Sequence, residues 1–190
     1  MFLVVGLGNP GEKYRFSRHN TGFRVVDALC TQCGWRWKKG KLVSWAKGPA
    51  FDTGLTLVKP LTFMNASGEG LFSFLNNHHE AYTEIVIVHD EMDFPSGVLR
   101  LKRGGGTAGH KGLLSIADFF DIRDMIRVRI GVGKPLPKEE VVDYVLGCPV
   151  GEERQLIEEA EHRAVEAIVF LIQNGIQKAM TLYNVRPQIE

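Results

Sequence analysis

The sequence predicts an α/β fold: a single domain over residues 1–190 in which a mixed, twisted sheet is surrounded by helices. Strand-like apolar runs alternate along the chain with segments whose apolar residues recur at helical spacing. The runs 2–5 and Ile85–Val88 are apolar throughout, which is typical of strands buried on both faces. The chain has 190 residues, of which 44% are hydrophobic, and this is enough to fill one core.

Each element is predicted from its own pattern. The first strand, residues 2–5, ends where Gly6 begins a glycine-rich loop. The first helix, Thr21–Cys33, has apolar residues three and four apart and is ended by Gly34. The other predicted strands are Leu42–Lys47, Gly54–Lys59, Ile85–Val88, Val98–Lys102 and Ile126–Val132. The other predicted helices are one that begins at Asn65 or Ser67, then Lys111–Phe119, Lys138–Leu146, Glu152–Gln173 and Ile176–Tyr183.

The charge of the chain is unevenly distributed, although its net charge is only +1. The segments 34–47 and 97–111 carry five and four basic residues without an acidic one, whereas 152–166 carries six glutamates. This pattern fits a basic face suited to a polyanionic ligand, with an acidic helix behind it. It fits solvated faces of uneven charge equally well.

Three cysteines without an apolar leader indicate a reducing compartment, and we expect a cytoplasmic protein. No apolar stretch approaches the length of a transmembrane helix, so no membrane partner is expected. Cys30 and Cys33 have the spacing of a redox or zinc pair. They lie at a helix C-terminus without a second pair, so we interpret them as ordinary core and surface thiols.

Three short polar segments, each beside a hydrophobic run, contain the candidate catalytic residues Asn9, His19 and Asp90. A histidine supported by a carboxylate and accompanied by an amide is suited to activating a water molecule. No serine or cysteine has the context of a nucleophile elbow, so a covalent intermediate is not expected. By spacing alone, the favoured interpretation of the three segments is that they are ordinary polar loop ends.

The glycines of Gly6-x-Gly8-x-x-Gly11 match the dinucleotide-binding fingerprint, but the surrounding residues do not. Pro10 removes one of the backbone amides that would bind the pyrophosphate, and a polar stretch follows where an apolar helix face should begin. Asp27, the acid nearest the expected ribose-binding position, falls inside an amphipathic helix. Dinucleotide binding is therefore disfavoured.

Nine motifs in order along the chain resemble the bacterial peptidyl-tRNA hydrolase family, from residue 2 to about residue 150. Four of them contain half of the candidate site residues. These four are Gly6-Leu-Gly-Asn-Pro-Gly11, Arg18-His-Asn20, Lys59-Pro-Leu-Thr-Phe-Met-Asn-Ala-Ser-Gly68 and His89-Asp-Glu-Met-Asp-Phe-Pro-Ser-Gly97. The others include Arg100-Leu-Lys102-Arg-Gly-Gly-Gly106, Gly109-His-Lys-Gly-Leu113 and Arg127-Val-Arg-Ile-Gly-Val-Gly133.

The resemblance implies a monomeric α/β hydrolase that needs neither metal nor cofactor. Such enzymes cleave the ester between the peptide and the 3′-terminal ribose of tRNA released prematurely from the ribosome, and so recycle the tRNA. By resemblance, His19 is the general base, Asp90 fixes its tautomer and Asn9 binds near the scissile group. Asn65 then binds the substrate backbone, and the walls of the groove are formed by Tyr14, Phe63 and Met64.

Four basic residues resemble positions that contact tRNA phosphates in the acceptor stem and TΨC region. They are Arg100, Lys102, Arg129 and Lys138, and among them Lys102 and Arg129 resemble a clamp on the 5′ phosphate. The predicted helix near Lys138–Leu146 resembles a mobile lid over the site.

The chain departs from the family pattern at Lys111, where many members have asparagine. A lysine cannot accept a hydrogen bond, so the role of the amide there is not fully reproduced. The runner-up function also comes from resemblance, because some organellar relatives are RNA-binding splicing factors without hydrolase activity. The candidate catalytic residues His19, Asp90 and Asn9 are all present, which favours the enzyme.

Overall fold

The computed structural model describes residues 1–137 and 139–185. Within these residues seven strands and six α-helices confirm the predicted α/β class. The strands are β1 (Phe2–Gly6), β2 (Lys38–Lys39), β3 (Val43–Ala50), β4 (Thr53–Pro60), β5 (Glu84–Glu91), β6 (Leu99–Arg103) and β7 (Ile126–Gly131). The helices are α1 (Thr21–Gln32), α2 (Ser67–Asn77), α3 (Lys111–Ala117), α4 (Val141–Leu146), α5 (Gly151–Asn174) and α6 (Ile176–Tyr183).

The strands form one mixed sheet in the order β2-β3-β4-β1-β5-β7-β6. The central strands β4, β1, β5 and β7 are parallel to one another, whereas β3 and β6 are antiparallel to their inner neighbours. The chain passes from β1 to strands on one side of it and then returns to β5 on the other side. The segments that follow β1 and β5 therefore diverge, and a crevice opens at the carboxyl ends of these two strands.

Helices cover the two faces of the sheet unequally. On one face α1, α5 and α6 contribute to a large core cluster that includes Leu99, Leu101, Val128 and Ile130 of the strands β6 and β7. On the other face α2 and α3 form a smaller cluster over residues of β1, β3, β4 and β5. Polar residues of β6 and β7 lie on this second face, beside α3, and so the fold leaves a basic strip there.

The predicted elements are confirmed with differences at their ends. A 3-10 turn at Met64–Ala66 precedes α2, which selects Ser67 over Asn65 as its first residue. The strand β5 continues through Asp90 and Glu91, so the polar residues predicted to follow the strand are its last residues. The short edge strand β2 was not predicted, because two consecutive lysines carry no strand pattern. Lys138, the predicted start of the lid helix, lies outside the described residues, and α4 begins at Val141.

The expected acidic helix is α5, and two of its glutamates are structural. Glu153 accepts two hydrogen bonds from Arg18, at 2.8 and 2.7 Å, and Glu161 accepts one from Arg24 at 2.9 Å. The Glu161 carboxyl is buried, and this burial raises its pKa although Arg24 opposes the shift. The acidic segment therefore anchors the beginning of α1 and the residues before it to α5. No helix among the described residues is long and apolar enough to cross a membrane.

The beginning of α1 approaches the ends of β1 and β5 so closely that only glycine fits. A Cβ atom built on Gly22 would lie 2.3 Å from the carbonyl oxygen of Val88 and 2.5 Å from the backbone nitrogen of Leu7. Neither backbone atom is free to move, because the N–H of Leu7 donates to that same Val88 oxygen at 3.0 Å. This contact sets the position of the residues just before α1, which include His19.

We expect Gly22→Ala to destabilise the fold by about 2 kcal/mol or more, since overpacking of backbone against backbone outweighs the gain in helix propensity. Chemical denaturation measures this. Gly106→Ala is the matched control, because a Cβ there meets no atom within 4 Å, and we expect a change of less than about 0.5 kcal/mol. A Gly22→Ala variant as stable as the parent would contradict the close approach.

Candidate active site

A cleft of about 340 Å³ lies at the carboxyl ends of β1 and β5. It brings together most of the residues that the sequence predicted for a site. The lining residues include Asn9, Tyr14, His19, Phe63, Met64, Asn65, Asp90, His110, Lys111 and four apolar residues of α4. The three candidate catalytic residues, which are far apart in sequence, thus share one pocket.

The centre of the cleft is the Asp90 carboxylate, which holds two histidines. His19 Nδ1 lies 2.8 Å from Asp90 Oδ1 and 2.9 Å from Oδ2. His110 Nε2 lies 2.9 Å from Asp90 Oδ1. The two rings are tilted against each other with their centroids 4.8 Å apart. The predicted pairing of His19 with Asp90 is therefore present, and His110 is a third member that the sequence did not identify.

Backbone contacts determine which nitrogen of His110 carries its proton. The N–H groups of Gly112 and Leu113, at the start of α3, donate to His110 Nδ1 at 3.1 and 3.4 Å. Nδ1 must then be unprotonated, so Nε2 carries the hydrogen that it donates to Asp90. His110 is thereby both the N-cap of α3 and a fixed donor to the carboxylate.

The same reasoning assigns the tautomer of His19. An ionised carboxylate can only accept hydrogen bonds, so Nδ1 of His19 carries the proton that points to Asp90. This leaves Nε2 of His19 as the basic nitrogen. His19, Asp90 and His110 also have the spacing of metal ligands, with their donor atoms within 4.8 Å of one another. The two backbone N–H groups occupy Nδ1 of His110, so its proton is on Nε2. A metal at Nε2 would have to displace this proton, so the arrangement fits hydrogen bonds better than a metal.

Burial and hydrogen bonding act in opposite directions on Asp90, which is 2% exposed. Desolvation disfavours its charged form, but the adjacent His19 and His110 stabilise that form, and the net effect lowers the pKa of Asp90 well below its usual value. Asp90 is therefore a carboxylate throughout the physiological pH range. His89, the residue before it, is also buried, and burial lowers its pKa so that it stays neutral.

Asn9 is fixed from several sides, and its side chain points an amide group into the cleft. Its backbone exchanges two hydrogen bonds of 2.9 Å with the side chain of Asn20. Its Oδ1 accepts from the N–H of Met64 at 2.8 Å. Since that oxygen is occupied, the Nδ2 donors are the part of Asn9 that remains for a ligand.

The predicted wall residues line the cleft, and they differ in exposure. Met64 is buried, whereas Phe63 is 59% exposed and Asn65 is also exposed. Tyr14 contacts Phe63 edge to face, with ring centroids 6.5 Å apart. The side chain of Asn65 has no hydrogen bond to another described residue, so its amide is available to a ligand.

Arg18, the neighbour of His19, connects the site to α4. Its Nη1 donates to the carbonyl of Tyr144 at 3.1 Å, and its guanidinium lies 4.2 Å from the centre of the Tyr144 ring. The Tyr144 hydroxyl in turn donates to the carbonyl of Val132 at 2.6 Å. These contacts hold α4 beside the cleft, where Val141, Val142, Val145 and Leu146 form an apolar wall. Sequence reasoning did not identify this role for Arg18.

The basic residues predicted to bind phosphate lie on the sheet face left open beside α3. Arg100 pairs in register with Arg129, and Lys102 with Arg127, across the antiparallel strands β6 and β7. Burial, followed by repulsion from Arg129 and Arg127, lowers the pKa of Lys102. Arg129 donates to Glu91 at 2.9 Å, and Arg100 donates to the carbonyls of Leu99 and Val185. Lys138 lies outside the described residues.

Lys111 lines the cleft and is exposed. It is the first residue of α3, directly after His110. Within the part of the chain that the structure describes, its ammonium group makes no ion pair and no hydrogen bond. An unpaired cation at the positive end of a helix is unfavourable unless a negative group lies opposite, so Lys111 marks a place where the cleft favours an anion.

Two alternative motifs have structural roles instead of functional ones. The Gly6–Gly11 loop leads to a 3-10 turn, Glu12–Tyr14, and not to the α-helix that a dinucleotide site requires. A Cβ on Gly6 would lie 2.3 Å from the carbonyl oxygen of Gly22, so Gly6 is needed for packing against α1. Cys30 is buried, and burial raises the pKa of its thiol, which makes it unreactive.

Comparison with known proteins shows the family of this chain. A family model described as peptidyl-tRNA hydrolase matches residues 3–190. The chain belongs to the peptidyl-tRNA hydrolase family. A peptidyl-tRNA hydrolase from Thermodesulfovibrio yellowstonii is 39% identical over 186 residues, covering 97% of this chain and 99% of the relative. One from Caldanaerobacter subterraneus is 40% identical over 185 residues, covering 97% of this chain and all of the relative.

Solved structures of the peptidyl-tRNA hydrolase family share the whole fold. The crystal structure of peptidyl-tRNA hydrolase from Acinetobacter baumannii superposes with a TM-score of 0.89 at 37% identity, covering 97% of this chain and 95% of that one. A methylthioadenosine nucleosidase from Arabidopsis thaliana shares the fold alone, with a TM-score of 0.52 at 8% identity.

Proposed function

We propose that this chain hydrolyses the ester between a peptide and the 3′-terminal ribose of tRNA, using a water molecule that His19 activates. Family membership supports the reaction. The observation that carries the mechanism is the hydrogen bond of His19 Nδ1 to a buried, ionised Asp90, which leaves Nε2 as a base in the cleft.

The proposed reaction needs no covalent intermediate. Nε2 of His19 removes a proton from water as the oxygen attacks the ester carbonyl, and Asp90 stabilises the imidazolium that forms. The Nδ2 group of Asn9 donates to the oxygen on which negative charge develops. Collapse of the tetrahedral intermediate breaks the bond to the ribose 3′ oxygen, and His19 returns its proton to that oxygen.

Substrate binding is proposed to use the peptide backbone and thus to tolerate many peptide sequences. The exposed amide of Asn65 binds the backbone of the residues next to the ester. Tyr14, Phe63 and Met64 form the walls of the groove around them. Backbone recognition fits a substrate class whose only common features are the ester and the tRNA.

We place the tRNA on the basic strip beside α3. Lys102 and Arg129 bind the 5′ phosphate of the acceptor stem, and Arg100 and Lys138 bind further phosphates toward the TΨC region. The substrate is peptidyl-tRNA lost prematurely from ribosomes, which places the enzyme in the cytoplasm. A monomer is the proposed working unit, since one chain supplies every residue described in the cleft.

Lys111 is proposed to bind a phosphate or carbonyl group of the substrate's 3′ end. Its ammonium group has no partner among the described residues, and Lys111 lines the cleft directly after His110 in the chain. Its charge would replace part of the role that an amide has at this position in many relatives.

His19→Ala should lower kcat by at least about 100-fold while affinity for peptidyl-tRNA changes only a few-fold, because the base is lost but the binding surfaces remain. Single-turnover hydrolysis of a peptidyl-tRNA measures this. His79→Ala, at an exposed histidine outside the cleft, is the matched control. Near-normal turnover by His19→Ala would refute the assignment, and a parent chain that binds tRNA but never hydrolyses the ester would favour an RNA-binding function.

Lys102→Ala should flatten the plot of log affinity against log salt concentration by about one unit, the expected loss for one phosphate contact. It should also abolish the preference for tRNA with a 5′ phosphate. The control is Lys178→Ala, at an exposed position of α6, which should change neither quantity. Equal binding of tRNA with and without the 5′ phosphate by the parent chain would refute the clamp.

Lys111→Ala should raise KM and reduce its salt dependence while kcat stays within a few-fold, as expected when a contact made equally in the ground and transition states is lost. Lys111→Asn should restore much of the affinity by supplying the amide. Steady-state kinetics at two salt concentrations distinguish the variants. A steep fall in kcat at constant KM would instead mean that Lys111 acts on the transition state.

A further inference from the structure

A second groove, on the opposite side of Asn9 from the basic strip, has no role in the proposed reaction. It encloses about 800 Å³ between the 3-10 turn Glu12–Tyr14, helix α1 and residues of the strands β2 and β4. We call it the edge groove. Its charged lining residues are Glu12, Arg15, Arg24, Asp27, Lys39, Lys41 and Lys59.

Two of the five basic residues in the edge groove are unpaired. Lys59 pairs with Asp27, Arg15 with Glu12, and Arg24 with Glu161. Lys39 and Lys41 are exposed, and their ammonium groups have no ion pair or hydrogen bond within the described residues. Both belong to the acid-free stretch 34–47 that the sequence singled out, and the proposed tRNA contacts do not use them.

The edge groove is continuous with the active cleft, because Asn9 lines both. Tyr14 and Phe63, which contact each other edge to face, line the active cleft but not the edge groove. A chain that extends from the ester past Asn9 toward Leu61 enters the edge groove. The groove is therefore placed to receive a part of the substrate that is already bound in the cleft.

The topology of the sheet determines which part of the substrate this is. The strands β7 and β6, with Lys102 and Arg129, lie on one side of β1 and β5, whereas β4, β3 and β2 lie on the other side. The scissile ester separates the tRNA from the peptide. If the tRNA phosphates lie over β6 and β7, the peptide leaves His19 in the opposite direction, toward Lys39 and Lys41.

We propose that the edge groove binds the peptide part of the substrate and that Lys39 and Lys41 favour peptides with acidic side chains. This inference rests on the proposed function. Three strand spacings of about 4.8 Å separate β1 from β2, or about 14 Å. An extended peptide covers that distance with about four residues, so the preferred acidic residues are the fourth and fifth counted back from the ester.

The test compares acetylated hexapeptidyl-tRNAs that share one tRNA and the three residues next to the ester. The fourth and fifth residues from the ester are Glu-Glu, Gln-Gln or Lys-Lys, and an N-acetylaminoacyl-tRNA serves as a substrate too short to reach the edge groove. The two enzymes compared with the parent are Lys39→Gln/Lys41→Gln and the matched control Arg36→Gln/Lys38→Gln, which removes two exposed charges from the same stretch outside the groove.

With the parent chain at low salt, we expect kcat/KM for the Glu-Glu substrate to exceed that for Gln-Gln about three-fold, because two exposed ion pairs contribute only weakly. The Lys-Lys substrate should have the lowest kcat/KM. High salt should remove the difference. Lys39→Gln/Lys41→Gln should bring the ratio of Glu-Glu to Gln-Gln to about one without changing hydrolysis of the short substrate. The control variant should keep the parent's ratio.

Equal kcat/KM for Glu-Glu and Gln-Gln with the parent chain would overturn the proposal, as would a preference that survives in Lys39→Gln/Lys41→Gln. If Lys39→Gln/Lys41→Gln lowered kcat/KM equally for every substrate, the short one included, the edge groove would be assigned to tRNA. That result would also overturn the proposal. If the parent chain hydrolysed none of the substrates, the proposed function would fall together with this inference, whereas hydrolysis without a charge preference would leave the proposed function intact.

Discussion

The geometry of the cleft depends most on one interaction: a buried carboxylate accepts hydrogen bonds from two imidazoles. Asp90 accepts hydrogen bonds from Nδ1 of His19 at 2.8 Å and from Nε2 of His110 at 2.9 Å. A carboxylate buried to this extent would be costly without both donors. Together they keep Asp90 ionised, and the ionised carboxylate holds the Nδ1 hydrogen of His19, so that the lone pair of the neutral ring is on Nε2, which faces the cleft. The arrangement allows a neutral histidine to act as a base without a metal or a covalent nucleophile.

The rest of the fold holds these three side chains in place. Asp90 lies near the end of a central strand, His19 lies just before α1, which Gly22 allows to pack against β1 and β5, and His110 caps α3. Each side chain thus comes from a rigid element instead of a free loop. Arg18 extends this support to α4 and α5, so the apolar wall of the cleft and the proposed base His19 are held by neighbouring residues.

Hydrophobic periodicity is a local property, and it was sufficient to predict the helices and every strand except β2. The pairing of His19 with Asp90 was predicted from the resemblance to the family's motifs, because spacing alone did not favour it. His110 was not identified, although it stands in a glycine-flanked turn directly before a predicted helix, which is the position of an N-cap. Its tautomer depends on two backbone donors that exist only once α3 has formed. The links between Arg18 and Glu153, or between Arg129 and Glu91, join residues too distant in sequence for any local pattern to predict.

The most direct test of the central interaction is the pH dependence of kcat/KM for Asp90→Asn. Because the pKa of Asp90 lies well below its usual value, the acidic limb of the parent's profile reports protonation of the histidine base. Loss of the adjacent negative charge makes the imidazolium less favourable, so the limb should move to lower pH, with a lower plateau. Asp93→Asn, at an exposed carboxylate paired with Lys134, should leave the profile unchanged. A profile of Asp90→Asn that matches the parent in position and height would contradict the account.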